Sequence, residues 1–248
     1  MSHHVVAYQS NGGNAAYAQI DAVGGDIYQI TDNNFIFPSD TIIYAAYVQG
    51  VDIDHARLNV PQLNQVFLPQ LRPINPQSTI QSLPGLHVFY PRGLTVKGQQ
   101  EVGIDGFNAG TTDTVNAFLF ISDEALTPLP SGGTYKLRGK STTTVTANKW
   151  TQLTTTWDTS LASGTYAVTG LTVHSSNGLV ARLVLPQQVK RPGSLMISAI
   201  GNQQPRFFAE PNLGEWCRFP AYSLPTVEVF CLAADSSFDI FLEVVKVG

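Results

Sequence analysis

Short apolar runs separated by turn-forming residues extend along almost the whole chain. "TIIYAAYVQGV", "LHVFY", "NAFLFIS", "TYAVTGLTVHS", "LVARLVL", "TVEVFCL" and "FDIFLEVV" are rich in Val, Ile, Tyr, Phe and Thr. Such side chains pack well on a pleated surface, so the pattern predicts strands. Between the runs lie "NGGN", "VGGD", "TDNN", "FPSD", "SGG", "SSNG" and "AADSS", whose Gly, Asn, Asp and Ser favour turns. The 15 prolines break helices and sit naturally in loops and at strand edges. Only "VPQLNQVFLPQL" suits a helical turn or two, with Pro61 at its start and Pro69 at its end. Many short strands with closely spaced turns predict an all-β sandwich or barrel.

The pattern is written twice. Ala56, Arg57, Leu58, Val60, Pro61 and Gln62 recur as Ala181, Arg182, Leu183, Leu185, Pro186 and Gln187, 125 positions later (56 to 181). At the same offset "TIIYAAYVQGVDIDHARL" lies over "YAVTGLTVHSSNGLVARL", strand on strand and turn on turn. "RPIN" at Arg72 returns as "RPGS" at Arg191, and "QEVGIDGFNAGTTDTVNAFLFIS" resembles "VEVFCLAADSSFDIFLEVV", with Glu101 set against Glu228. A repeat this long exceeds the roughly 20–50 residues of a solenoid unit and matches a whole β-sandwich. The chain therefore reads as an N-terminal arm (1–17), a first sandwich (18–126), a linker (127–147) and a second sandwich (148–248). The join falls in the Pro-, Gly- and Ser-rich stretch "SDEALTPLPSGGTYKLRGKSTTT", with strand order resuming near Lys149-Trp150.

Composition narrows the function. Apolar residues make up 43% of the 248, enough for sizeable cores, while charged residues make up only 13%, about half the roughly 25% usual for soluble domains. A surface of Thr, Ser, Asn and Gln can be buried against a neighbour without stranding charges. The 14 Lys and Arg against 18 Asp and Glu, with no basic tail, argue against direct nucleic-acid binding, which needs a basic footprint. "MSHHVVAYQSNGG" lacks the basic segment and apolar run of a secretory signal. No run is long and apolar enough for a membrane-spanning helix, so folding in the cytosol is expected. Cys217 and Cys231 are too few for a disulfide framework and lack metal-site spacing, so two buried thiols are expected.

The residues that carry chemistry are sparse. Asp52, Asp54 and His55 offer too few oxygens for Ca²⁺ and read as a solvated turn. His3, His4, His55, His87 and His174 are scattered and form no H-x-H or H-E-x-x-H group. No G-x-S-x-G elbow or phosphate loop is present. The charges shared by both copies are Arg57 with Arg182 and Glu101 with Glu228. Either they form a ligand site used twice, or they are structural: an Arg–carboxylate bridge tying two strands, or an oligomer contact. The structural reading is preferred. Trp216 is expected in a core, whereas Trp150 and Trp157 are better placed for exposure as sugar-stacking platforms.

Two tandem sandwiches of about eight strands each, from about Asp21 to Val247, resemble the double jelly-roll major capsid proteins of tailless icosahedral viruses. These include the membrane-containing corticoviruses, tectiviruses and finnlakeviruses of bacteria. "LGEWCRFPAYSLPTVEVFCLAADSSFDIFLEVV" also looks like the closing part of phage-type structural proteins. The resemblance implies a non-enzymatic coat protein of the virion that uses no cofactor. Its partners would be two further copies in a six-sided trimer, neighbouring trimers, a separate vertex protein and, in some members, an underlying lipid membrane. Two other readings remain: a carbohydrate-binding jelly-roll spike or lectin for host recognition, and a cupin-type metalloenzyme, against which the scattered histidines count.

Overall fold

The computed structural model describes residues 3–24, 27–50, 53–64, 70–71, 86–89, 93–108, 114–124, 127–186, 188–198 and 214–248. They fall into two compact units, Val5–Glu124 and Ala125–Gly248, with Met1–His4 grouped with the second.

The first unit is built on eight principal strands. They are β1 (His3–Asn11), β2 (Tyr17–Ile20), β3 (Thr41–Gly50), β4 (Ile53–Asn59), β5 (Gln70–Leu71), β6 (Leu94–Val96), β7 (Glu101–Asn108) and β8 (Thr114–Ser122). One sheet runs β1-β8-β3-β6, and the other runs β7-β4-β5. The place beyond β7 is shared. Strand 34–36 pairs with Glu101 and Val102, and β2 packs along the rest of β7, with Ile20 against Gly106 and Tyr17 against Phe107. Alternation along each strand sends Val6, Val48, Leu58, Ile104 and Leu119 into one core between the sheets.

The second unit repeats the scheme with β9 (Thr134–Ser141), β10 (Trp150–Leu153), β11 (Thr165–Ser175), β12 (Gly178–Val184), β13 (Gly193–Leu195), β14 (Cys217–Pro220), β15 (Thr226–Cys231) and β16 (Phe238–Lys246). Its sheets are β9-β16-β11, with β14 also on β11, and β10-β15-β12-β13. Counting strands within a unit, one sheet reads first-eighth-third-sixth and the other second-seventh-fourth-fifth. That order is the double Greek key of a jelly roll. The chain is all-β, two jelly rolls in tandem, and the one helix among the described residues is the single turn α1 (Pro61–Asn64). Pro69, expected to end a longer helical segment, lies outside the described residues, as do the repeat at Arg72 and Asp52.

Two segments differ from the sequence reading. Residues 3–11, expected in an arm, form β1, whose first six residues are buried. Tyr8 anchors it: its ring lies edge-on to Phe35 at 5.2 Å, and its hydroxyl donates to the Val102 carbonyl at 2.6 Å. Burial pushes that phenol well above its usual range, so it stays a neutral donor. The expected linker contains β9, paired with β16 from Thr134 to Ser141. Its inward positions include Gly139 and Ser141 rather than large apolar residues, which weakens the alternation. Gly139 is small for a reason, since a Cβ there would lie 2.8 Å from the Trp157 ring.

Two consequences can be measured. Tyr8→Phe removes a buried hydrogen bond to the Val102 carbonyl and is expected to cost about 1–2 kcal/mol, read as a lower urea midpoint. Cys217 and Cys231 are free and buried. Burial and the nearby Glu215 carboxylate raise the Cys217 thiol, while burial and Asp235 push Cys231 up to about 12. Both should stay unreactive toward an aromatic disulfide reagent at pH 8 in the native protein and react fully in denaturant. Rapid native labelling would contradict this packing.

Candidate functional site

The repeated arginines sit at equivalent places. Arg182, on β12, stands directly opposite Glu228 on β15. Arg57, on β4, stands directly opposite Asp105 on β7. Core positions Ala56, Leu58, Val102 and Ile104 alternate with Arg57 and Asp105, so the charged pair lies on the face turned away from the sandwich core. Arg182 and Glu228 alternate in the same way with buried Ala181, Leu183, Val227 and Val229.

In the second unit the Arg182 Nε donates to Glu228 Oε2 at 2.7 Å. Arg191 Nη1 donates to the same carboxylate at 3.2 and 2.9 Å. The Arg182 guanidinium carbon lies 3.9 Å from the centre of the Trp150 ring, a cation–π stack. Trp150 in turn meets Phe230, its register partner, edge-on at 5.5 Å. The backbone N–H of Arg191 donates to His4 Nδ1 at 2.8 Å.

The first unit holds the same four parts. Arg57 Nε donates to Asp105 Oδ2 at 2.8 Å, and its guanidinium carbon lies 3.8 Å over Tyr17. Tyr17 meets Phe107 edge-on at 5.6 Å. Aromatic, arginine, carboxylate and phenylalanine thus recur as Tyr17, Arg57, Asp105, Phe107 and as Trp150, Arg182, Glu228, Phe230. His55 joins the first copy, stacked on Phe107 at 4.7 Å, with Asp54 3.1 Å from its Nδ1.

Of the four charged candidates, Arg182 and Glu228 come together, whereas Glu101 does not meet Arg57. Glu101 lies opposite Ile36 and accepts from Asn34 Nδ2 at 3.1 Å. The counterpart of Glu228 is Asp105, four residues further along. A strand shifted by an even number of residues keeps the same faces, so alternation alone cannot detect that slip. The acidic-x-Phe pattern shared by Asp105-Gly106-Phe107 and Glu228-Val229-Phe230 would have found it.

Asp54 and His55 lie within β4 rather than in a turn. Trp216 is buried. Trp150 and Trp157 are half-buried, and Trp150 is engaged by Arg182. Among the described residues no group of three or more His, Cys, Asp or Glu could hold a metal ion. What the arrangement can do is fix neighbouring strands in register and, in the first unit, present a stacked aromatic–guanidinium surface.

No protein-family model matches the chain, and no curated protein matches it. Among solved structures it is similar to the major capsid protein P2 from bacteriophage PM2. That similarity has 10% sequence identity and a TM-score of 0.25, and it covers 99% of this chain and 98% of that one.

Proposed function

We propose that this chain is a structural coat protein that assembles with copies of itself into a closed shell, with no catalytic role. The observation that carries the reading is the doubling: the same jelly-roll strand order occurs twice in one chain, and jelly rolls are common building units of viral shells. Three such chains would supply six similar units around a three-fold axis, a block that tiles like a hexamer. Closed symmetric assembly suits this arrangement, because fused copies are free to diverge where their neighbours differ. The low charge content, 13%, allows wide contacts without stranding ions. A separate vertex protein and a lipid layer beneath the shell belong to the same reading, as does residence in the virion after synthesis in a host cytoplasm.

Particle mass by light scattering, followed by electron microscopy of the same sample, tests it. Six-sided blocks of three chains, or shells built from them, are the expected result. A protein that stays monomeric at high concentration would end the reading, and glycan screening of the lectin alternative would follow.

A further inference from the structure

The two jelly rolls differ in which faces the chain leaves open. On the face that carries the arginine cluster, Arg182 is 0% exposed and Phe230 is wholly buried. Their first-unit counterparts are open: the Arg57 side chain is 26% exposed and Phe107 is half-buried. On the outer face of the other sheet the order reverses. In the first unit Tyr47 and Phe118, paired in register with rings stacked at 5.9 Å, are buried, as is Phe120. In the second unit the same register holds Thr172 opposite Phe241, with Glu243 two residues on, and Phe241 is 38% exposed. Each kind of face is therefore buried once and left open once.

We propose that the two open faces bind each other between copies: the Tyr17–His55–Arg57–Phe107 face of one chain receives the Arg138–Phe241 face of the next. Chemistry supports the match. Along β9 the outward residues Lys136, Arg138 and Lys140 form an exposed cationic stripe beside Phe241. Lys136 pairs with Glu243 at 3.0 Å and Arg138 with Asp239 at 3.3 Å, so the stripe is partly neutralised and can be desolvated at lower cost. The opposing face offers the Asp54 carboxylate, with its side chain 58% exposed, and the rings of Tyr17, His55 and Phe107. Such rings suit both a phenylalanine and a guanidinium. Because the two faces differ, the contact is head-to-tail, which makes a ring when the rotation closes. This inference rests on the self-assembly reading above and names the surfaces that reading would use.

Two face-specific variants test it. One carries Arg138→Ser with Phe241→Ser, and the other carries Asp54→Lys. Each variant by itself should be monomeric by light scattering. An equal mixture should give a one-to-one complex of twice the 26.9 kDa chain mass, because one intact face of each kind remains. If the parent assembles and either variant alone still does so, or forms its own dimer, the head-to-tail inference is overturned while the coat reading stands. A parent that remains monomeric overturns both.

Discussion

Glu228→Ala is expected to destabilise the second unit by about 3–5 kcal/mol, because it breaks a buried ion pair by removing its carboxylate. The residue left behind is Arg182, wholly buried and held at 2.7 Å by Glu228. The reverse change should be milder. Arg182→Met leaves Glu228 with Arg191 at 2.9 Å and fills the space over Trp150 with a side chain of similar length. Its expected cost is about 1–2 kcal/mol, near that of losing one charged hydrogen bond. Combining Arg182→Met with Glu228→Leu should recover part of the loss of Glu228→Ala, since a well-packed apolar pair often replaces a buried ion pair without penalty. Urea midpoints of the four proteins would check this. Equal losses for Glu228→Ala and Arg182→Met would show that the carboxylate is not what keeps Arg182 in place.

Phe230→Ala should cost about 3–5 kcal/mol, the usual range for a fully buried aromatic replaced by a methyl group. Its counterpart Phe107 is only half-buried, so Phe107→Ala should cost about 1–2 kcal/mol, in proportion to the area already removed from water. The two residues share a strand position and an aromatic neighbour, Trp150 or Tyr17. The difference between them therefore isolates what covers the face rather than what the residue is. Thermal unfolding of the isolated chain at low concentration is the suitable measurement. Similar losses at both positions would contradict the difference in burial.

How much of this was legible depended on where large apolar residues fall. Strand β16 alternates Phe238, Ile240, Leu242 and Val244 inward, and the period of two is plain in the sequence. In β9 the inward places include Gly139 and Ser141, so a strand paired along its whole length read as linker. β1 opens with His3 and His4, both buried, and histidine carries no strand signal of its own. The repeated arginines stood out because their neighbours repeat. Their carboxylate partner in the first unit did not, because Glu101 and Asp105 share a face. Nor could the sequence tell that Arg182 is buried and Arg57 open. Both follow the same Ala-x-Leu frame, and exposure of an outward residue is decided by what lies beyond the sheet.

The central position of the eighth strand bears on how the protein is made. β8 lies between β1 and β3, and β16 between β9 and β11. Arg138 and Asp239, neighbours in the sheet, are 101 residues apart in the chain. Neither jelly roll can zip shut until its last strand leaves the ribosome. Such non-local pairing folds slowly and leaves strand edges open in the meantime. While β16 is still being synthesised, β8 from the finished half is a candidate to fill the gap between β9 and β11. The two halves differ at the positions such a strand would occupy. Inserted there, β8 would set Phe120 where Glu243 meets Lys136 and Asn116 where Asp239 meets Arg138. Such an exchange would forfeit both ion pairs, so each sheet fits its own closing strand better than its twin's.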